Sequence, residues 1–368
     1  MIAAADPIRV MVVDDSTVIR GLLGRIIDAQ PDMRVACSAP NGRSALDLLR
    51  HREVDVVLLD VEMPEMDGLS ALPRILELRP GVRVVMASSL TQRGAEVTMK
   101  ALSLGAADYV PKPSAVHAVR GMEAISAELV EKVRALGRAA RRSVALPAPA
   151  APAPRAPAPA PPGGHVLAPA GEGGEPFRVL AVASSTGGPN ALAAVLSGLP
   201  RDFPLPVLIV QHMPPIFTAA LAERLQREAG RPCAEARHGE RLLPGHTYVA
   251  PGDHHTTVMT AEREPVLRLD SGPPENYCRP SADPMLRSVA SVFGPSALAL
   301  VLTGMGEDGL RGCREVVARG GRVVVQDEAT SVVWGMPGAV ANAGLASAVL
   351  PLDRIAGHLH HLSSAVAV

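Results

Sequence analysis

Three polar side chains in the second half of the chain could form a hydrolytic site. Ser185, His212 and Asp308 each come shortly after an apolar run that is typical of a buried strand. In an open parallel sheet, sites form outside the carboxyl ends of the strands. If these three strands are neighbours, the side chains meet in one crevice as nucleophile, general base and orienting carboxylate.

The stretch around Ser185 reads RVLAVASSTGGPN over residues 178–190, which predicts a strand, a tight turn and a helix start. A hydroxyl in such a turn lies beside backbone N–H groups and the positive end of a helix dipole, and both stabilise an oxyanion. The alternative is an ordinary Ser- and Thr-rich turn that caps the helix. The Gly-x-Ser-x-Gly pattern is absent, and the order Ser, His, Asp differs from that of α/β hydrolases.

A second group of reactive residues lies in the N-terminal third. Asp14 and Asp15 follow the first apolar run, Asp60 follows the third, Ser88 the fourth and Lys112 the fifth. Three carboxylates in one pocket repel each other unless a cation joins them, and such oxygen ligands suit Mg²⁺. The hydroxyl and the ammonium can bind phosphoryl oxygens, which is the chemistry of an aspartyl phosphate. The alternative is an acidic patch with a solvated lysine.

The elements that must position these residues alternate along the chain. In the N-terminal third, strand-type runs fall at residues 8–13, 35–38, 54–59, 82–87 and 107–110, with helical segments between them. This alternation predicts an α/β fold with a parallel sheet and helices on both faces. The C-terminal half repeats the pattern, but residues 247–250, 256–260 and 265–269 are short and turn-separated, which predicts an antiparallel hairpin region.

An Ala-, Pro- and Gly-rich segment separates the two halves over about residues 143–176. Alternating Ala and Pro favours an extended, fairly stiff chain that cannot build a core, so we interpret it as a spacer. A proline-rich ligand for a partner domain is the alternative. The predicted domains are residues 1–125, a helical tail and linker over 126–176, and residues 177–368.

Composition excludes several classes of protein. The 368 residues carry a formal net charge of −1, so no basic excess indicates nucleic acid as a partner. No apolar run approaches the roughly 20 residues of a membrane span, and the first residues lack a signal-like pattern. The four cysteines show no CxxC spacing, which predicts reduced structural thiols. We therefore expect a soluble, cytoplasmic protein without membrane insertion.

Residues 7–125 resemble the receiver domain of a two-component response regulator, because the acidic, hydroxyl and lysine residues follow the expected strands. The resemblance implies a (βα)5 flavodoxin-like fold with Asp60 as the phosphoacceptor. It implies that Asp14 and Asp15 bind Mg²⁺ together with Asp60, and that Ser88 and Lys112 are the switch hydroxyl and the phosphate-binding lysine. Tyr109 matches an aromatic residue that changes rotamer on activation in related domains, although the sequence is equally consistent with a core tyrosine.

Five stretches of the C-terminal half are similar to the CheB family of chemotaxis protein-glutamate methylesterases. They are ASSTGG at 183–188, QHMP at 211–214, RPSAD at 279–283, LTGMGEDG at 302–309 and WGMP at 334–337. The family pattern Gly-Ala-Ser-Thr-Gly-Gly makes Ser185 the nucleophile. Ser184 is the alternative, since Ala183 and Ser184 depart from that pattern.

The resemblance implies phosphorylation-activated hydrolysis of glutamyl γ-methyl esters, with release of methanol, and deamidation of glutamines on the cytoplasmic helices of chemoreceptors. Its substrates would be methyl-accepting receptors and its phosphodonor a chemotaxis histidine kinase. The hydrolytic site would need no cofactor. Backbone N–H groups near Thr186 and Met305 are oxyanion candidates, and Arg279 could either orient substrate or buttress a loop.

Two other functions remain open from the sequence. The C-terminal half could be a protein-docking module without catalytic activity, in which case Ser185→Ala would preserve its output. The same esterase chemistry could also serve a chemosensory pathway other than chemotaxis.

Overall fold

The computed structural model describes residues 6–112, 119–145 and 175–364. Most of the predicted linker, residues 143–176, lies outside the described residues. The chain divides into two compact units, Met1–Pro159 and Ala160–Val368, and each contains its own parallel sheet. None of the helices in the described ranges combines the length and the apolar character of a membrane span.

The N-terminal unit alternates strands and helices as the sequence predicts. Its strands are β1 (Ile8–Val13), β2 (Met33–Ala39), β3 (Val56–Asp60), β4 (Arg83–Ser88) and β5 (Asp108–Pro111). Its helices are α1 (Thr17–Asp28), α2 (Gly42–His51), α3 (Gly68–Leu78), α4 (Gln92–Ser103) and α5 (Val119–Ala145). The sheet order is β2-β1-β3-β4-β5 with parallel pairing throughout, which confirms the flavodoxin-like prediction.

Local sequence explains these elements. All five residues of β3 are buried, as expected for a central strand covered on both faces. The side chains of Ser16, Asn41, Asp67 and Thr91 accept hydrogen bonds from backbone N–H groups at the starts of α1 to α4. The polar residues that follow the strands therefore also fix where the helices begin.

Helix α5 continues through residue 126, where the sequence analysis places the boundary between the first domain and the helical tail. Leu129, Val133 and Leu136 are buried, and α5 contacts β1, β3, β4 and β5. Arg134 also pairs with Asp32 at 2.8 Å. This part of the predicted tail therefore packs on the N-terminal sheet, while the domain boundaries themselves stay a prediction.

The C-terminal unit is built on a larger sheet. Its strands are β6 (Val179–Ser184), β7 (Val207–Gln211), β8 (Cys233–Glu235), β9 (Thr247–Val249), β10 (His255–Ala261), β11 (Glu264–Asp270), β12 (Ala297–Val301), β13 (Arg322–Gln326) and β14 (Ala348–Leu350). Its helices are α6 (Gly188–Gly198), α7 (Pro215–Ala229), α8 (Ala282–Phe293), α9 (Leu310–Ala318), α10 (Met336–Asn342) and α11 (Leu352–Ser364). The sheet order is β14-β13-β12-β6-β7-β9-β8, and all six pairings are parallel.

The three strands that precede the candidate catalytic residues are neighbours. Strand β6 lies between β12 and β7, and Ala183 is in register with both Val301 and Val210. The three carboxyl ends are therefore level at one edge of the sheet, as a shared site for the three residues requires.

The hairpin prediction is confirmed in part. Strands β10 and β11 form the antiparallel pair. Residues 247–250, predicted to belong to that region, instead form β9, where Thr247 pairs in parallel with Val207 and Cys233. Strand β8 was not predicted. Both strands contain three residues, and a run this short carries too little periodicity to identify its partner.

The hairpin and α8 cover one face of the sheet. A hydrophobic cluster joins alternate β6 residues, Val179, Ala181 and Ala183, to Val258 and Leu267 of the hairpin and to the buried face of α8. The segment between β11 and α8 is thereby held near the carboxyl edge of the sheet. It supplies several residues of the site.

Candidate active site

Backbone hydrogen bonds join the turn after β6 to both neighbouring strand ends. The N–H of Ser185 donates to the carbonyl of Thr303 at 3.1 Å, and the N–H of His212 donates to the carbonyl of Ser184 at 3.2 Å. The hydroxyl of Thr303 donates to the carbonyl of Thr186 at 2.9 Å. These bonds fix the loops that carry the candidate nucleophile and base relative to each other.

The two serines of the turn differ in environment. Ser184 is fully buried, and its hydroxyl donates to Gln211 Oε1 at 2.7 Å. The amide of Gln211 in turn donates to the carbonyl of Ser185 at 2.9 Å. Ser185 itself is partly exposed. The hydroxyl of Ser184 is therefore committed to a buried bond, which favours Ser185 as the reactive serine.

Glycines allow the close approach of two loops at Ser185. Gly187 has φ +77°, and a β carbon there would lie 2.6 Å from Val332 Cγ2. A β carbon on Gly304 would lie 3.0 Å from both the amide nitrogen and the β carbon of Ser185. Only glycine lets the loop after β12 pass this close to the nucleophile turn.

His212 and Asp308 form a hydrogen-bonded pair, with Nε2 and Oδ2 separated by 2.7 Å. The carboxylate of Asp308 is buried, and its oxygens accept five further bonds at 2.6–3.2 Å. The donors are Asn276 Nδ2, Ser281 Oγ and the N–H groups of Ala282, Asp283 and Gly309. Such a surrounding fixes the position of the carboxylate and stabilises its charge.

The pair shifts both pKa values in the direction expected for an ion pair. Burial opposes the charge of Asp308, but the bonds from His212, Ser281 and Ala282 hold its pKa well below the ordinary range. Burial likewise opposes the charge of His212, yet the hydrogen bond to Asp308 and the contact with Cys278 raise the pKa of the imidazole. Neutral His212, the form that can act as a base, is therefore populated only at higher pH than for a free histidine.

Cys278 contributes to this site although the sequence indicated only a structural thiol. Its Sγ lies 3.6 Å from Nδ1 of His212, on the nitrogen that Asp308 does not use. The cysteine is free and partly exposed. The sequence also did not predict that Asn276 and Ser281 donate hydrogen bonds to the carboxylate of Asp308. Neither residue has a local sequence signal that identifies this role.

Replacing Cys278 with alanine should lower the pKa of His212, because the sulfur no longer accepts a hydrogen bond from the charged imidazole. An NMR titration of the His212 ring would show its deprotonation midpoint at lower pH than in the wild type. Replacement of Cys233, which is buried elsewhere, is the control and should leave that midpoint in place. An unchanged midpoint in Cys278→Ala would contradict the contact.

The other predicted residues of this site lie in different situations. Thr186 is buried, and its Oγ1 has no hydrogen-bond partner among the described residues. Met305 is partly buried in the loop that passes Ser185. Arg279 binds Asp253 through Nε at 2.9 Å and donates to the carbonyls of Ser271 and Gly272. That set of partners favours the loop-buttressing alternative for Arg279 and leaves Thr186 and Met305 as oxyanion candidates.

In the N-terminal unit, the ligand oxygens of Asp14, Asp15 and Asp60 all lie within 4.8 Å of one another. Lys112 Nζ bridges two of them, at 2.9 Å from Asp14 Oδ2 and 2.6 Å from Asp60 Oδ1. The other oxygen of Asp60 is buried and has no hydrogen-bond partner in the part of the chain that the structure describes. Oxygen-only ligands with one unsatisfied acceptor fit a Mg²⁺ ion.

Burial raises the pKa of the Asp60 carboxyl, and the bond to Lys112 works against that rise. Burial also opposes the charge of Lys112, but its hydrogen bonds to Asp60 and Asp14 outweigh this and raise its pKa. The lysine therefore stays charged beside the carboxylates. A cation at this position can pair with a phosphoryl group formed on Asp60.

Two further predicted residues lie in this unit. Ser88 is buried at the end of β4, and its hydroxyl donates to the carbonyl of Gly94 at 3.1 Å. Tyr109 is 3% exposed, with Lys132 Nζ 4.9 Å from the centre of its ring. In this conformation the tyrosine is a core residue, and the switch roles of both residues stay predictions.

Comparisons with known proteins identify a family for each of the two units. Residues 180–359 match the family model described as CheB methylesterase, and residues 10–122 match the response regulator receiver domain. A protein-glutamate methylesterase/protein-glutamine glutaminase from Azospirillum brasilense is 48% identical over 374 residues, covering 99% of this chain and 95% of that protein. A protein of the same description from Paramagnetospirillum magneticum is 49% identical, covering 98% and 97%.

A solved structure resembles the C-terminal unit. The crystal structure of the Thermotoga maritima CheB methylesterase catalytic domain is 39% identical in sequence and has a TM-score of 0.50. It covers 50% of this chain and 98% of that domain. The similarity therefore extends over one whole catalytic domain.

Proposed function

This chain belongs to the CheB methylesterase family, and from that premise we propose that Ser185, His212 and Asp308 perform its reaction. The protein is a protein-glutamate methylesterase and protein-glutamine glutaminase with a receiver domain, and it acts in chemotaxis adaptation. The observation that carries the residue assignment is the His212–Asp308 hydrogen bond of 2.7 Å at the strand end next to Ser185.

In the proposed acylation step, Ser185 Oγ attacks the carbonyl carbon of the glutamyl γ-methyl ester. Since Nε2 of His212 is bound to Asp308, Nδ1 is the nitrogen that accepts the serine proton. The tetrahedral intermediate then collapses, the carbon–methoxy bond breaks, and His212 protonates the departing methanol. Asp308 holds the imidazole in the required tautomer and stabilises the imidazolium.

In the deacylation step, His212 takes a proton from water, and the resulting hydroxide attacks the acyl-serine. The second intermediate collapses to the free glutamate side chain, and the proton returns to Ser185. A glutamine side chain follows the same route with ammonia as the leaving group. One site can therefore perform both reactions, because both are acyl transfers through a tetrahedral oxyanion.

Backbone N–H groups near Thr186 and Met305 are the proposed donors to that oxyanion. The close packing of Gly304 on Ser185 supports this, because it brings the loop containing Met305 beside the nucleophile turn. Oriented N–H donors need no reorganisation as the negative charge develops. We propose that Arg279 buttresses its loop and does not orient the substrate, since its guanidinium is already bound to Asp253.

The substrates that we propose are methylated glutamates on the cytoplasmic helices of chemoreceptors, which places the reaction in the cytoplasm. Release of methanol from methylated receptor fragments tests the proposal, and the release must depend on Ser185. If the wild-type protein releases no methanol, with or without a phosphodonor, the proposal is contradicted and the docking-module hypothesis is favoured. Identical chemistry in another chemosensory pathway would give the same result with a different receptor.

The receiver domain is proposed to accept a phosphoryl group on Asp60 from a chemotaxis histidine kinase. Asp14, Asp15 and Asp60 would hold Mg²⁺, which neutralises phosphoryl oxygens during the transfer. Lys112 pairs with the transferred group, and Ser88 donates a hydrogen bond to it once its hydroxyl leaves Gly94. A change in these contacts shifts the population of active conformations.

A small phosphodonor with Mg²⁺ should raise methanol release by roughly 5- to 150-fold, the span of typical coupling between two sites. Asp60→Asn should abolish both phosphoryl incorporation and this stimulation while retaining the basal rate. Asp67→Asn is the matched control, because asparagine preserves the N-cap that Asp67 forms at Ser70. Chelation of Mg²⁺ should remove the stimulation from the wild type, and stimulation that persists in Asp60→Asn would contradict the assignment.

A further inference from the structure

A two-residue turn lies directly beside the His212–Asp308 pair. Glu275 and Cys278 exchange both backbone hydrogen bonds, at 3.1 and 3.0 Å. The two central residues, Asn276 and Tyr277, have φ of +53° and +62°. This is the geometry of a type I′ hairpin turn, which favours Asn followed by Gly. Asn276 fits that preference, whereas tyrosine in the second position is disfavoured because it carries a β carbon.

Side-chain bonds anchor the turn to the catalytic pair on both sides of Tyr277. Asn276 Nδ2 donates to Asp308 Oδ1 at 2.7 Å and to Asp283 Oδ2 at 2.9 Å. Cys278 Sγ contacts Nδ1 of His212 at 3.6 Å. Tyr277 is therefore connected through each chain neighbour to one member of the pair, and its position relative to the site is fixed.

The start of the turn is also braced. Glu275 forms a bidentate ion pair with Arg287 of α8, with N–O distances of 2.6 and 2.8 Å. A planar guanidinium bound to both carboxylate oxygens restricts orientation as well as distance. The turn is thus a rigid support rather than a freely moving loop tip.

The side chain of Tyr277 is fully exposed, at 103% of its reference area. The chain has only eight aromatic residues besides histidine: three tyrosines, four phenylalanines and one tryptophan. Tyr109 and Tyr248 are each 3% exposed, and Phe203, Phe217 and Phe293 are buried as well. Tyr277 occupies a disfavoured backbone conformation, and no described residue of the C-terminal unit buries its ring, so the ring is positioned for contact with another molecule.

We propose that Tyr277 is a substrate-specificity residue that contacts the receptor helix carrying the esterified glutamate. This inference rests on the proposed function and assigns the contact to side chains one helical turn from the reacting one, since residues three and four apart share a helix face. A tyrosine ring covers apolar side chains and offers a hydroxyl for hydrogen bonding, at low cost in side-chain freedom. It binds the receptor, and it does not take part in bond making at the ester.

The test compares Tyr277→Gly and Tyr277→Phe in the full-length protein, activated by phosphodonor and Mg²⁺. Glycine removes the ring and suits the turn, so folding is retained, whereas phenylalanine keeps the ring. Tyr277→Gly should raise KM for a methylated receptor fragment by roughly tenfold with kcat within about twofold, as for loss of one interface aromatic. Tyr277→Phe should restore KM to within about threefold, and hydrolysis of a small γ-methyl glutamate ester should not respond to either change.

Leu243→Ala is the matched control for loss of an exposed apolar side chain. Leu243 is 47% exposed and precedes β9, whose first residue pairs with the first residue of β7, so it lies at the opposite edge of the sheet. This variant should leave KM for the receptor fragment unchanged. An unchanged KM in Tyr277→Gly, or an equal loss on the small ester, would overturn the proposal.

A direct binding measurement separates this inference from the proposed function. Binding of the methylated fragment is compared between Ser185→Ala and the double variant Ser185→Ala/Tyr277→Gly, neither of which needs to turn over substrate. Weaker binding of the double variant by roughly tenfold supports the contact, and equal binding refutes it. Absence of Ser185-dependent methanol release from the wild type would count against the catalytic proposal alone.

Discussion

Ser185→Ala should reduce methanol release from methylated receptor fragments by at least about a thousandfold, whereas Ser184→Ala should retain activity within about tenfold. The two serines are adjacent in sequence, but only Ser184 has its hydroxyl bound in the interior, to Gln211 Oε1 at 2.7 Å. Removal of the nucleophile eliminates the acyl-enzyme route. Removal of the Ser184 hydroxyl disturbs only the support of the turn.

The two variants should show the opposite order in stability. Without the Ser184 hydroxyl, Gln211 Oε1 loses a buried donor, which costs about 1–3 kcal/mol of unfolding free energy. Ser185 is partly exposed, so its replacement by alanine should leave the free energy of unfolding within about 0.5 kcal/mol of the wild type. Thermal unfolding and methanol release, measured on the same preparations, check both expectations. An inactive Ser184→Ala with an active Ser185→Ala would exchange the two assignments.

The sequence predicted that Ser185, His212 and Asp308 lie at neighbouring strand ends, because each follows an apolar strand. A buried parallel strand has a strong hydrophobic signal, and the carboxyl ends of such strands meet at one edge. The order β12-β6-β7 then places the three strand ends side by side, and His212 and Asp308 are hydrogen-bonded there. The same reasoning predicted that Asp14, Asp60 and Lys112 of the receiver lie close together, since these also lie at the carboxyl ends of strands.

The residues that surround the His212–Asp308 pair could not be predicted in this way. Asn276, Cys278 and Ser281 belong to the irregular segment between β11 and α8, whose path depends on tertiary bonds rather than on periodicity. Cys278 carried no spacing signal, and its contact with His212 exists only because the type I′ turn directs it there. The pairing of the three-residue strand β9 was predicted wrongly for a related reason, because the surrounding sheet determines which strand such a short segment pairs with.

The choice between Ser184 and Ser185 shows how sequence and structure combine. The family pattern favours Ser185, but Ala183 and Ser184 both depart from it. The structure adds a physical reason for choosing Ser185. The hydroxyl of Ser184 is bound to the buried acceptor Gln211 Oε1, whereas the hydroxyl of Ser185 is not bound to that acceptor. For Tyr109, by contrast, the sequence allows a ring that changes rotamer on activation or a core tyrosine. The ring is buried in this structure, which corresponds to the core conformation.

Asp308→Asn should lower kcat/KM for methanol release by roughly a thousand- to ten-thousandfold. The carboxylate accepts six hydrogen bonds, including the one from His212, and an asparagine must direct its own N–H₂ group at some of those donors. The imidazole then loses both its fixed tautomer and the charge that stabilises the imidazolium. The pKa of His212 should therefore fall, and an NMR titration of the ring measures that fall directly.

The same substitution should leave a signature in the pH dependence of stability. The pKa of Asp308 is held below its value in the unfolded chain, so the ionised carboxylate contributes stability that is fully present above about pH 4. This contribution is lost as the pH falls through the folded-state pKa. Asp308→Asn should thus be less stable than the wild type at pH 7, by roughly 3–5 kcal/mol for a broken buried pair, and the difference should narrow below about pH 4.

Glu307→Gln is the control for Asp308→Asn, because it removes a neighbouring carboxylate that is exposed to solvent. It should leave the midpoint of the His212 titration in place, and it should change the rate of methanol release by no more than about twofold. If Asp308→Asn retained activity within tenfold and left the His212 midpoint in place, the imidazole would not depend on this carboxylate. Another residue would then have to orient the base, and the 2.7 Å bond would be structural only.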